Sequence, residues 1–400
     1  MTFQSAGRLF GAALVLAPAL AAAQTSSKVV TLGGKDYTVT AKSLVSAAGD
    51  INANPIYSTP ISPAFNGVGS IRITATQADG SSGTFICTGS LLADGKTVLT
   101  AAHCLTGGIG TVTAISANFY PTSSSPVTLT AASWNANPLY SGQVIDENDV
   151  GVIHLTAEAP SSISRYALYT GTAENQAFDF VGYGRRGSFG AGTGAAGNGA
   201  GFGLANRRQG YNLFDITLGD SRWCSAAAPC PPDSNNYWYD PSAATAHVLL
   251  TDFDNGTTGF NSQDGMCWLG QFSNFTLGVS ECNPGLGQYE AISGGGDSGG
   301  PGFIDGMIAS VTSFGLSFGS YNGGGDIDAS LNSSFGEFAG FTDVAYQSSW
   351  ITSQMDLTSL DPTVAGPPVV TPEPASIVLM ATGLVGVIGF ARRRRNGSKN

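Results

Sequence analysis

From residue 65 to residue 185 the chain keeps returning to one pattern. Short runs rich in β-branched and aromatic residues alternate with Gly, Asn, Asp and Ser, as at 70–76, 83–92, 96–101, 110–119, 150–156 and 178–184. Such side chains suit a pleated, half-buried surface, and the interruptions are turn formers. The pattern therefore predicts many short strands closing into a sandwich or barrel. Helical periodicity is weak until 346–357 (YQSSWITSQMDL), which predicts one short terminal helix. Gly supplies 55 of the 400 residues, about twice the usual share, which favours turns and argues against a helical bundle. It concentrates in 185–210, a Gly/Ala stretch with an arginine pair at each end, read as a flexible surface loop.

The two ends of the chain read as addresses. Residues 1–23 run from one cation, Arg8, through an apolar stretch to Ala21-Ala22-Ala23, the layout of a secretory signal with a small-residue cleavage site. An N-terminal core helix is the competing reading. Export implies an oxidising compartment, where six cysteines with no paired C-x-x-C set point to disulfides and away from zinc. At the far end, a Pro/Val/Thr-rich spacer (358–371) leads into Pro372-Glu373-Pro374. An uncharged run of 17 residues (375–391), at the short limit for a membrane span, is followed at once by Arg392 to Arg395. This order closely resembles the PEP-CTERM sorting signal of Gram-negative bacteria. The resemblance implies removal of the tail by an exosortase-type enzyme and delivery to the cell envelope or exterior. A plain C-terminal anchor is the alternative, and either reading places the body outside the cytoplasm, touching membrane only through this segment.

Charge narrows the partners. The chain carries −11 at pH 7. Six basic residues (Arg8, Arg392, Arg393, Arg394, Arg395, Lys399) and one acid (Glu373) lie in the terminal signals, so the body keeps 11 basic and 27 acidic residues, a charge of −16. An acidic body with no Lys/Arg cluster excludes nucleic acid as the expected partner.

Three short motifs carry the chemistry. Thr100-Ala101-Ala102-His103-Cys104 ends a strand-like run, and His103 is one of only three histidines, with His154 and His247. Cys87 lies 17 residues before Cys104; a bridge between them would pin the His103 loop to a neighbouring strand, worth roughly 3 kcal/mol by chain entropy. Asn148-Asp149-Val150-Gly151 puts an acid at the mouth of an apolar strand, where a buried carboxylate demands a hydrogen-bond donor. Asp146 and Glu147 compete for that position, and His154 is assigned no role. Gly294-Gly295-Gly296-Asp297-Ser298-Gly299-Gly300-Pro301 surrounds one serine with glycines, permitting a tight turn that exposes the hydroxyl and aims successive N–H groups into one concavity. A phosphate-binding loop is the rival, but no Lys-Ser/Thr follows and no βα context is evident.

Together the motifs resemble the chymotrypsin/trypsin-like serine peptidases, whose chain order is also His, Asp, Ser. The interval of 46 residues from His103 to Asp149 is close to the family's; the 149 residues from Asp149 to Ser298 imply an insertion at about 185–260. Thr312-Ser313-Phe314-Gly315 resembles the segment lining the substrate cleft, and Phe341-Thr342-Asp343-Val344 with Trp350-Ile351 the last strand and final helix. The resemblance implies an all-β fold of two six-stranded antiparallel barrels with a short C-terminal helix. It implies a nucleophile Ser298, a base His103, an orienting Asp149, and an oxyanion hole from the N–H groups of Gly296 and Ser298. Ser313 would sit near Asp149, and Phe314-Gly315 would bond an extended protein or peptide substrate.

The chain departs from the family at several points. Ile292 stands where the base of the specificity pocket is expected, which argues against cleavage after Arg or Lys, although Glu290 is nearby. Gly294 replaces a pocket cysteine. Cys267–Cys282 matches a family bridge by spacing, and Cys224–Cys230 would close a small loop in the insertion. No Arg-Ile-Val-Gly-Gly activation run exists; residues 24–55 could be a pro-segment ahead of a peptidase domain at 56–357, or Asp297 could find another donor with nothing removed. Nothing calls for a cofactor or metal. Asp252-Phe253-Asp254-Asn255 is acidic enough for calcium but lacks EF-hand spacing. A non-catalytic surface or matrix protein that reuses the barrel for binding is the alternative function.

Overall fold

The computed structural model describes residues 25–32, 35–43, 46–47, 63–106, 109–121, 126–185, 207–220, 222, 245–254, 265–266, 286, 290–317, 320–321, 324–326 and 330–356. The signal at 1–23, the stretch 186–206, the pairs Cys224–Cys230 and Cys267–Cys282, the spacer and the C-terminal sorting segment lie outside the described residues. Among the described residues no helix is long and apolar enough to cross a membrane.

Eighteen strands follow one another along the described chain: β1 (Thr25–Leu32), β2 (Lys35–Ser43), β3 (Ser46–Ala47), β4 (Val68–Thr76), β5 (Ser82–Leu91), β6 (Thr97–Thr100), β7 (Thr111–Phe119), β8 (Val127–Ala136), β9 (Gly151–Leu155), β10 (Ala177–Gly182), β11 (Arg208–Leu213), β12 (Ile216–Thr217), β13 (Val248–Asp252), β14 (Pro301–Ile304), β15 (Met307–Ser317), β16 (Ser320–Tyr321), β17 (Gly324–Gly325) and β18 (Phe338–Asp343). One helix, α1 (Val344–Ser353), ends the described chain. Strands expected at 70–76, 83–92, 96–101, 110–119, 150–156 and 178–184 correspond to β4, β5, β6, β7, β9 and β10.

The first half is a closed six-stranded antiparallel barrel. Pairing runs β5-β4-β7-β8-β9-β6, and β6 returns to β5 through Ser90↔Leu99 and Leu91↔Val98. Alternation drives it: Ile71, Ile73 and Ala75 of β4 are buried while Arg72 and Thr76 face out. The second half is a curved sheet in the order β11-β10-β14-β15-β18-β13-β12. Its two edge strands are consecutive in the chain, parted only by Phe214 and Asp215, whose N–H groups bond across to Gln176 and Leu250 carbonyls. This sheet has its own core of Phe178, Phe214 and Phe341, with Phe178 and Phe214 stacked 3.8 Å apart. Phe65 and Phe303 stack at 5.0 Å, and Tyr166 meets Phe303 edge-on at 4.8 Å, where the second half joins the first.

Two boundaries differ from expectation. The helix begins at Val344, two residues before the expected start, because the Asp343 carboxylate caps it by accepting the Ala345 N–H at 2.8 Å. It ends at Ser353. The arginine-flanked stretch read as loop to residue 210 becomes strand at Arg208, paired with Gly182 across β10–β11. Burial decides this: Arg207 is only 5% exposed, with its guanidinium on the Tyr120 carbonyl.

Candidate active site

The three motif residues leave the barrels at one place. β6 and β9 are antiparallel, with Thr100 opposite Gly151. The chain running out of β6 and the chain running into β9 therefore share one rim, which brings His103 and Asp149 together. His103 occupies a single 3-10 turn, Ala102–Cys104, tied to β5 by the Cys87–Cys104 disulfide. Ser298 enters from the second half, on the turn ahead of β14. Thr88 of β5 holds that turn: its N–H donates to the Ser298 carbonyl at 2.8 Å and its hydroxyl to the Gly296 carbonyl at 3.0 Å.

The contacts form one chain. Ser298 Oγ lies 2.8 Å from His103 Nε2, and His103 Nδ1 lies 2.6 Å from Asp149 Oδ2. The Asp149 carboxylate also accepts the His103 backbone N–H at 2.9 Å on Oδ1 and the Ser313 hydroxyl at 2.5 Å on Oδ2. Three groups thus meet this buried carboxylate, as its burial demands. The serine owes its position to an irregularity: the β15–β18 register shifts between Thr312 and Phe314, and the bulge turns Ser313 toward the acid. Asp146 and Glu147 are otherwise engaged. Asp146 accepts the Ser141 hydroxyl at 2.6 Å, and Glu147 the His247 N–H at 3.0 Å. His154, half-buried on β9, lies 3.4 Å from Asn135 Nδ2 and away from this cluster.

The Ser298 turn is shaped by its glycines. Gly296 has φ +103°, a conformation that side chains avoid. The Asp297 N–H donates to the Gly294 carbonyl, Gly299 to Thr312 and Gly300 to Asp297. The Gly296 and Ser298 N–H groups make no hydrogen bond among the described residues. Asp297 is buried, seated against Gly184, where a Cβ would collide with its carboxylate. It accepts the N–H groups of Gly184 at 2.7 Å and Gly294 at 2.8 Å, with Arg208 Nη2 3.8 Å away. Burial pushes the Asp297 carboxyl up; Arg208 and the two amides pull it down. The sequence reading missed Arg208 and Thr88 as supports of this turn. The arginine pair in an otherwise uncharged stretch was the available signal for the first; nothing marked the second.

Ile292 is half-buried against the second core beside Ala291 and Tyr169. The Glu290 carboxylate accepts the Leu286 and Asp254 N–H groups at 2.7 and 3.2 Å. Burial, reinforced by Asp254, pushes Glu290 up to about 9. Asp252, Asp254 and Glu290 bring oxygens within 4.8 Å of one another, a spacing that could hold a cation. Phe314 and Gly315 lie on the stretch of β15 past the end of its β14 pairing.

Residues 68–232 match the family model described as Trypsin, and residues 370–395 that of the PEP-CTERM protein-sorting motif. The first match includes His103 and Asp149 and ends before Ser298. Similar solved structures include HL collagenase (17% identity, 72% of this chain and 93% of that one, TM-score 0.43). Neuropsin, a serine protease expressed in the limbic system of mouse brain, is also similar (18% identity, 74% and 97% coverage, TM-score 0.43). No curated protein matches the chain.

Proposed function

We propose that this chain, whose residues 68–232 match the Trypsin family model and 370–395 the PEP-CTERM protein-sorting motif, is an exported serine endopeptidase. The observation that carries this reading is the continuous relay from Ser298 Oγ through the His103 ring to Asp149, at 2.8 and 2.6 Å. Within such a relay His103 Nε2 takes the hydroxyl proton as Ser298 Oγ bonds to the substrate carbonyl carbon. Asp149 fixes the ring with its proton on Nδ1 and offsets the imidazolium charge. The carbonyl oxygen, now negative, is received by the Gly296 and Ser298 N–H groups. His103 then gives the proton to the departing amine, leaving an acyl group on Ser298 that water removes by the same route in reverse. Separation of these groups would favour the alternative, a non-catalytic binding protein, and their spacing speaks against it.

An apolar Ile292 provides no carboxylate for a basic side chain, and Glu290 is engaged by the Leu286 and Asp254 N–H groups, so small or medium apolar residues are the favoured cleavage sites. The chain is organised as a signal at 1–23, a pro-segment within 24–55, the peptidase domain at 56–357, a spacer at 358–371 and an exosortase-processed tail at 372–400 that meets the membrane through 375–391. The test is hydrolysis of peptides with apolar residues by wild type and Ser298→Ala. Loss of ~10⁴-fold or more in kcat/KM is expected; equal cleavage by the variant would end the reading.

A further inference from the structure

The N-terminal strands lie across the two sheet edges that flank the Ser298 cluster. β2 runs antiparallel to β15, with Ser43 opposite Phe314, Lys42 opposite Gly315, Ala41 opposite Leu316 and Thr40 opposite Ser317. This is the stretch of β15 that β14 does not reach, since β14 pairs only as far as Val311. β3 runs antiparallel to β5, with Ser46 opposite Ile86 and Ala47 opposite Phe85. Both ladders end beside the cluster. Phe314 follows Ser313, whose hydroxyl is on Asp149, and Ile86 precedes Cys87 and Thr88, the latter bonded to the Ser298 carbonyl. An open edge takes an extended peptide by main-chain pairing, with little regard for side chains. β1 backs β2 over eight residue pairs, so the segment arrives as a preformed hairpin. Ser298 itself is 0% exposed and His103 4%.

We infer that the paired segments Thr40–Ser43 and Ser46–Ala47 are an internal inhibitor, laid along the cleft where an extended substrate would pair, one ladder on each side of the nucleophile. This rests on Ser298 being that nucleophile. The chain is then exported in a self-blocked form, and opening requires displacement or removal of the hairpin. Activation takes a different course from the release of an N-terminal ammonium for Asp297, whose counter-charge here is Arg208.

The test compares the full exported chain with an Ala41→Pro/Lys42→Pro variant, measuring by mass spectrometry the rate at which an extended peptidyl phosphonate labels Ser298. β2 lies between β1 and β15, so adjacent residues direct their N–H groups to opposite neighbours. Two successive prolines therefore break the β15 ladder in either phase. If the open form is roughly a tenth of wild-type molecules, labelling of wild type is roughly tenfold slower. Equal rates overturn the inhibitor and leave the peptidase standing. Absence of labelling in both chains, with unfolding transitions intact, sinks both. A second measurement covers a misfolded proline variant: hydrogen exchange on full-length Ser298→Ala. Amides of 40–43 should be protected and lose protection when excess extended peptide is added. Exchange at free-peptide rates overturns the inference.

Discussion

Asp297 gives the sharpest test of how the Ser298 turn is held. Its carboxylate is buried and is met by two amides and by Arg208 at 3.8 Å. Replacing Arg208 with Met keeps the side-chain bulk and deletes the charge. Breaking a buried pair by removing one partner costs about 3–5 kcal/mol; the two amides remain and Arg208 is partly exposed, so about 3 kcal/mol is expected here. Without the arginine the carboxyl, already raised by burial, rises further. A folded-state value raised above the unfolded one gives stability present at low pH and lost as pH climbs through the folded value. Arg208→Met should therefore lose more stability at pH 8 than at pH 5, and Arg208→Met/Asp297→Asn should recover most of it. Urea unfolding of the four chains at both pH values gives the coupling energy directly. Labelling of Ser298 should slow in the single variant and return in the double. An Arg208→Met chain as stable and reactive as wild type at pH 8 would refute the assignment and mean that Asp297 draws on another cation.

The remaining expectations are narrower. Ser313→Ala removes a hydrogen bond to a charged acceptor, worth about 1.5–3 kcal/mol, and should lower kcat by roughly 10–100-fold with KM little changed; a fall in thermal stability with kcat intact would make Ser313 merely structural. Cys87→Ala/Cys104→Ala opens a loop of 17 residues and should cost about 3 kcal/mol in urea unfolding, with wild type in reductant behaving alike. Glu290 is raised to about 9 and Glu337 to about 8, each chiefly by burial. Each binds a proton in the folded chain that the unfolded chain has released above its ordinary range. Stability should therefore fall as pH rises from 5 to 9, by ~1.4 kcal/mol per pH unit for each such proton. Glu290→Gln should remove its share of that slope, and a flat profile in wild type would contradict the assignment.

The candidate site was legible in the sequence because its parts are local. TAAHC, NDVG and GGGDSGGP are each one short stretch at a rim, with alanines before His103, Gly151 soon after Asp149 and glycines around Ser298. First-barrel strands were legible for a similar reason, alternation being a local signal. β8 was missed although Val127, Leu129 and Ala131 alternate with threonines and pack, half-buried, on the first core. β13 and β14 are buried along their whole length and show no alternation. Arg208 was read as loop because composition alone cannot show that a charged residue begins a strand beneath a buried aspartate. The pairing of 40–43 with 314–317 joins segments more than 270 residues apart, and no pattern within either segment announces the other.

The central claim is that Ser298 is made nucleophilic by His103. The direct measurement is peptide mapping of the full chain after prolonged reaction with a small fluorophosphonate, alongside His103→Ala. One adduct, on Ser298, that is lost in the variant is the predicted result. A folded wild-type chain that stays unmodified, or modification of Ser298 undiminished without His103, would contradict it.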